Sequence, residues 1–340
     1  MRQGKISENV LKRSVLRKIK TYREEVISGA GIGKDCAILA HGEGMQIVLS
    51  TTPVTAPPAE LGRYAVPMAL NNVAAAGAEP LGVLLTILLP EETEETELAR
   101  LMEQTQEICS MLHAQILGGH TEVTAVVREP VMTVTGVGQR KASLAKRLPG
   151  IAPGQDIVVS KWIGLEGTAR LAKRYRRELA QRFPMRMIED AADYDRFLSI
   201  IPEAATAVKS GVCAMHDVSE GGIFGALWEL AESAGVGLTI DMKKLPLRQE
   251  TVEVCECCNI NPYELLSGGC LLMTSEDGSG LVSALKAEGI PAVMVGKVTD
   301  GRDRILINED EVRYMDRPKQ DGIYRTDREH FSKRELYESK

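Results

Sequence analysis

Apolar and polar positions follow two rhythms along the chain. Between Glu95 and His113, the side chains of Leu98, Leu101, Met102, Thr105, Ile108, Cys109 and Leu112 recur every three or four residues. That spacing puts them on one stripe and predicts an amphipathic helix. Similar patterns predict helices over 6–19 (capped by Ser7), 60–76 (kinked at Pro67), 166–183, 196–210, 223–233, 249–258 and 278–288. Short apolar runs predict strands: GMQIVLS (44–50), LGVLLTILL (81–89), AQILGG (114–119), VVREPVMTVTGVGQ (126–139), DIVVSK, GVCAMHD, GVGLTID, GCLLMTS and PAVMVGKV. The Gly/Pro-rich stretch RLPGIAPGQD (147–156) reads as a domain boundary. The expectation is an α/β (α+β) chain with domains at 1–150 and 151–320. A polar tail, loosely held from about Asn308, is expected to end in residues 321–340.

Bulk properties narrow the functional classes. At 340 residues the chain is long enough for two separate cores. A formal net charge of −6 argues against a nucleic-acid partner, because phosphate binding needs a positive field. Aromatics at 4% leave few platforms for stacking bases. The basic stretch ARLAKRYRRELAQRF (169–183) reads as a solvated helix face rather than an anion patch. No signal-peptide or membrane segment is expected, since the longest apolar run, Leu81 to Leu89, is too short to cross a bilayer. Seven scattered cysteines, an odd number, fit free thiols in a cytoplasmic protein.

Four glycine-marked junctions stand out: GAGIGKDCA (29–37), LNNVAAAGAEP (70–80), LGGHTEVT (117–124) and MHDVSEGGIFGALWELAE (215–232). At such junctions backbone N–H groups can approach an anion closely, although ordinary strand-to-helix turns use the same residues. CECC (255–258) lacks a second Cys/His pair at ligand spacing, so it reads as helix cysteines rather than a zinc site. His216 and Asp217 are adjacent, and neighbours on a strand point to opposite faces, so they form a pair only if the strand has ended. His120, at a glycine turn, is the better candidate for a base or a ligand contact.

These motifs, in this order, resemble the AIR synthase superfamily. It includes thiamine monophosphate kinase, selenophosphate synthetase and hydrogenase maturation factor E, and the AIR synthase-related, factor E-like branch is the nearest. The resemblance runs from GKISENVLKRSV (4–15) through GIGKDCA, NNVAAAGAEPLGV, GGHTEVT, TVTGVG, KWIGLEGTA and AMHDVSEGGIFGALWELA to NPYELLSGG (261–269). It implies two α/β domains and a homodimer whose N-terminal strands form a barrel across the two copies. It also implies ATP near that interface, with phosphates held through Mg2+ by acidic residues, and ATP-dependent ligase or kinase chemistry.

Carried over by position, the resemblance implies Gly31, Gly33, Lys34, Thr52, Asn72, Gly118, Gly119 and Thr121 as nucleotide or phosphate contacts. Gly221 and Gly222 are implied as the acceptor-side phosphate loop. Asp35 and Glu122 are the implied metal ligands, and His120 and Asp217 the catalytic candidates. The chain departs from the pattern where the family carries further acids: Lys34, Thr52 and Asn72 stand there. A carboxylate-poor site binds magnesium weakly or loses it. Lys34 can pair with phosphate as a point charge, or point into solvent. In hydrogenase maturation factor E a C-terminal cysteine accepts a carbamoyl group, which is dehydrated to thiocyanate. No cysteine follows Cys270 here, so that chemistry is not expected. The expected function is therefore binding of ATP or another small phosphorylated ligand. The alternative is a non-catalytic homodimeric scaffold with a degenerate magnesium site.

Overall fold

A computed structural model describes residues 5–54, 56–146 and 148–325 and divides them into two compact units. One holds residues 20–148 and 199–208; the other holds the described parts of 1–19, 149–198 and 209–340. In chain order the elements begin with α1 (Glu8–Ser14), β1 (Val26–Ser28), β2 (Ala37–His41), β3 (Met45–Val54), α2 (Leu61–Ala75) and β4 (Glu79–Leu89). There follow α3 (Glu95–Met111), β5 (Gln115–Val123), β6 (Val131–Lys141), β7 (Asp156–Ser160), α4 (Leu165–Arg174), α5 (Arg176–Leu179), α6 (Met185–Ala192) and α7 (Ile201–Lys209). The last are β8 (Val212–Val218), α8 (Gly222–Ala234), β9 (Gly237–Asp241), α9 (Gln249–Cys258), β10 (Cys270–Ser275), α10 (Gly278–Ala287), β11 (Ala292–Thr299), β12 (Arg304–Asn308) and β13 (Glu311–Tyr314).

The first unit is a six-stranded sheet in the order β1-β2-β3-β6-β4-β5, antiparallel except for the parallel β4–β5 pair. Alternation along β3, β4 and β6 buries Val48, Val54, Val83, Leu85, Ile87, Met132 and Val134 on one side. Helix α2 packs on β3, β4 and β6, and α3 packs on α2. The opposite face carries Ile47, Leu49, Leu84, Leu88 and Val137, each half-buried or exposed. β5 lies at the edge with one partner strand, and all but one of its residues are exposed. The second unit is a seven-stranded sheet, β13-β12-β9-β11-β7-β10-β8, with only β12–β9 parallel. Its core groups Ile157, Val159, Ile223, Leu227, Leu238, Ile240 and Leu272, and a second cluster joins Leu171, Tyr175, Ile188, Cys255, Cys258 and Leu265.

Several expectations shift against this frame. α3 appears where its stripe predicts, closed at its start by a reciprocal Glu94–Glu97 capping box. α2 runs through Pro67 close to its expected span, carried by eleven buried residues. The helix expected over 166–183 is divided at Tyr175, whose buried ring sits in the second cluster. Gly221 holds the N-terminal cap of α8 at φ 90°, and the Ser219 carbonyl accepts from the Gly222 and Ser267 N–H groups. The segment from Asn308 is not loosely held as far as Arg325. It forms β13, buries Met315 and Ile323 and places Asp321 at 1% exposure. The remainder of the expected tail, 326–340, lies outside the described residues.

Candidate functional site

The first glycine stretch forms a tight turn. Gly31 and Lys34 make a bridge across Ile32 and Gly33, with Gly33 at φ 65°. The stem of Lys34 lies over Gly31, where an added Cβ would come within 2.9 Å of its Cδ. The turn is tied down from the sheet and from α2. Ser50 Oγ donates to the Asp35 carbonyl at 2.9 Å, Asn72 Nδ2 donates to Ser50 Oγ at 3.0 Å, and Cys36 Sγ donates to the Asn72 carbonyl at 3.2 Å. Lys34 and Asp35 stay exposed, so the fixed backbone presents one cationic and one anionic side chain to solvent. Asn72 is thus part of the turn's support. Ser50, absent from the sequence expectation, is its central link. The neighbouring Asn71 is buried, and its Oδ1 accepts from the Ile200 N–H at 3.0 Å at the start of α7.

The remaining N-terminal candidates fall on two faces of the sheet. Thr52 pairs with the buried Val134 and so faces the helix-covered side, as Ser50 does. His120 pairs with Thr86 and Glu122 with Leu88, which puts both on the uncovered face. His120 Nε2 lies 3.1 Å from Glu122 Oε2, and both are exposed. Thr121, one residue between them, faces the other way. Three strands separate β2, which follows Asp35, from β5, which carries Glu122. Among the described residues no three His, Cys, Asp or Glu side chains converge as a metal group.

GGHTE is not a turn but part of β5. Gly118 and Gly119 remain in the ladder at φ 141° and 148°, opposite Leu84 and Leu85. A Cβ at Gly119 would stand 1.8 Å from the Leu85 carbonyl oxygen. Gly119 therefore lets the edge strand pass its neighbour too closely for any side chain, and Gly118 supplies only its positive φ.

In the second unit His216 and Asp217 both lie inside β8 and do not pair. His216 Nε2 lies 3.2 Å from Glu229 Oε2 on α8, and Lys5 Nζ donates to the other oxygen at 2.9 Å. Burial pushes the Glu229 carboxyl upward, but His216 and Lys5 outweigh it and hold the group down at about 2. Asp217 is buried and Glu220 accepts from the Lys5 backbone N–H at 2.6 Å. Gly221 does not have its N–H available for a phosphate: it donates to Asp321 Oδ2 at 2.6 Å. Gly222 is packed against Tyr263 and Leu265, where an added Cβ would lie 2.6 Å from the Tyr263 carbonyl oxygen.

All seven cysteines carry free thiols, and six are buried. Burial raises the Cys109 thiol to about 11 and that of Cys258 to about 12, and it also raises Cys213 and Cys255. These four are poor nucleophiles near neutrality, because the thiolate is the reactive form. No helix among the described residues is long and apolar enough to cross a membrane.

The sequence and the fold have counterparts. The family description "AIR synthase related protein, N-terminal domain" matches residues 33–139, and its C-terminal companion matches 152–308. A hydrogenase expression/formation protein of Methanocaldococcus jannaschii is 26% identical over 315 residues, covering 89% of this chain and 91% of that protein. The carbamoyl dehydratase HypE of Rhodobacter capsulatus is 29% identical over 252 residues, 72% of each. Among solved structures, the hydrogenase maturation protein HypE in complex with ATP shares the fold with a TM-score of 0.69. It is 17% identical and covers 94% of this chain and 97% of that one. With both family domains matched in sequence order and the two sheets in place, the chain belongs to the AIR synthase related protein family.

Proposed function

We propose that the chain binds ATP or another phosphorylated ligand at the turn formed by residues 31–36. The observation that carries this reading is the fixed turn itself, held by Ser50 and Asn72 with Lys34 and Asp35 turned outward. Lys34 supplies a positive point charge for phosphate. Asp35 supplies one hard oxygen, which suits Mg2+ shared with phosphate oxygens and water, the usual arrangement for this ion. The HypE relatives and the ATP complex of a HypE fold-mate point to a nucleotide and to the hydrogenase-maturation branch. If the chain turns ATP over, it does so as a ligase or kinase of this family. The seven free thiols suit a cytoplasmic setting, and none of them acts as a carbamoyl acceptor in this reading.

Calorimetry with Mg-ATP tests it. Saturable binding is expected in the wild type, with at least about a tenfold loss in Asp35→Ala if that carboxylate holds the metal. The same samples, incubated with a carbamoyl donor, are expected to show no thiocarbamate or thiocyanate adduct by mass spectrometry. Absence of nucleotide binding under every metal condition would instead favour the scaffold reading. The separation of Asp35 from Glu122 by three strands is what favours that second reading.

The chain is also proposed to form a homodimer through the uncovered face and the β5 edge, closing a barrel between copies. An apolar sheet face and a nine-residue exposed edge strand are liabilities in a monomer. Light scattering is expected to give twice the chain mass for the wild type and a monomer for Leu84→Asp. A monomeric wild type would remove the proposal.

A further inference from the structure

The turn before α8 has the geometry of an anion site, and an anion already occupies it. Asp321 is almost fully buried, and three main-chain N–H groups donate to its carboxylate. Gly221 reaches Oδ2 at 2.6 Å, and Ile323 and Leu266 reach Oδ1 at 2.9 and 3.3 Å. The donors come from three separate segments: the SEGG turn, the NPYELLS turn and the C-terminal strap itself. Gly221 lies at the start of a thirteen-residue helix, whose N-terminal field adds to the attraction.

The strap is anchored on both sides of the carboxylate. Ile323 packs into the cluster around Cys255 and Leu265, and Met315 into the main core of the unit. Arg325 Nη2 donates to Glu264 Oε2 at 2.6 Å. At Gly322 an added Cβ would lie 2.3 Å from Ile260 Cγ2, so the chain is pressed against its support there.

The surroundings make this a demanding place for a charge. Glu220 and the buried Glu166 both act on Asp321 or are acted on by it as like charges, and the buried Cys255 thiol is close enough to respond to it. Glu166 has Arg170 on Oε1 at 3.3 Å, while its Oε2 makes no hydrogen bond and abuts Gly268. Burial, with Glu220 adding, outweighs the three N–H donors and raises the Asp321 carboxyl to about 6.

We propose that the Gly221 turn is a carboxylate-binding site whose resident ligand is the chain's own Asp321. The turn is therefore closed to an external oxyanion while Asp321–Arg325 is seated. Removing the carboxylate opens a cradle of main-chain donors sized for a small carboxylate such as formate.

The test is chemical rescue of Asp321→Ala. At equal ionic strength, formate should raise its melting temperature above that in chloride, and leave the wild type unchanged. Formate should also restore hydrogen-exchange protection at Gly221 and Leu266 by about tenfold. Equal behaviour of the variant in formate and chloride, or an equal gain in the wild type, would overturn the proposal. Should the alanine variant not fold, Asp321→Asn decides. Protection at Gly221 or at Leu266, whichever faces the new amide nitrogen, is then expected to fall by about tenfold or more, because one carboxylate oxygen becomes a donor. Unchanged protection at both amides rejects the clamp.

Discussion

Gly119→Ala is expected to cost about 3 kcal/mol or more, the sum of forced overpacking and a strained backbone, and to release β5 from its sheet. An added methyl would stand 1.8 Å from the Leu85 carbonyl oxygen, and that oxygen belongs to the backbone of β4, which is paired on both sides. It cannot swing away as a side chain would. The residue also sits at φ 148°, a region that an L side chain rarely adopts. Gly118→Ala separates the two causes. It shares the positive φ, at 141°, but its nearest heavy atom is Leu84 Cδ2 at 4.0 Å, so only the backbone strain applies. Urea unfolding should therefore rank wild type above Gly118→Ala, and Gly118→Ala well above Gly119→Ala. A Gly119→Ala midpoint within error of wild type would mean that β5 does not run past Leu85 as described. The same variant is expected to lose the dimer, because β5 supplies the open edge.

The GGHTE segment also shows what the sequence could and could not convey. A glycine pair after an apolar run is a breaker signal, so the strand is expected to stop at Gly119. Gly119 instead solves a close approach between two strands, a long-range fact that local spacing does not encode. β5 also lacks the alternation of a half-buried strand, since nearly all of it is exposed. Where a face is buried the pattern is legible: α3, α9 and α10, and strands β3, β4, β7 and β10, lie close to their expected positions. For the candidate site, the Gly31–Lys34 turn could be located from its residues, but its support could not. Ser50 is one serine in a strand, and only the folded sheet brings it between Asp35 and Asn72. Asp321 lies a hundred residues from Gly221, within a polar stretch whose composition reads as tail. Nor does any local signal tell that Lys5 packs with Glu229 and Glu220.

One half-buried carboxylate, Glu229, and one buried carboxylate, Asp321, should bend the pH dependence of stability in opposite directions. Glu229 is held at about 2, below its ordinary 4.5, so the unfolded chain binds more protons between those values. Its contribution is fully present above pH 4.5 and is lost as pH falls toward 2. The full shift corresponds to roughly 3 kcal/mol, reduced to about 1–2 because Lys5 is half exposed and screened by solvent. Asp321 has the reverse sign. It is raised from 3.8 to about 6, so the folded chain binds more protons in that window and stability falls as pH rises through it. That fall amounts to about 3 kcal/mol if the whole shift is realised. Urea unfolding between pH 3 and pH 7.5 distinguishes the two. Glu229→Gln should flatten the acid limb below pH 4.5 and leave the decline between pH 4 and 6 in place. Asp321→Asn should remove that decline and keep the acid limb. Slopes decide the matter better than absolute values, because each variant also loses hydrogen bonds that do not titrate. If Asp321→Asn keeps the wild-type slope between pH 4 and 6, Asp321 is not the group that titrates there. The clamp would then have to stand on its main-chain donors alone.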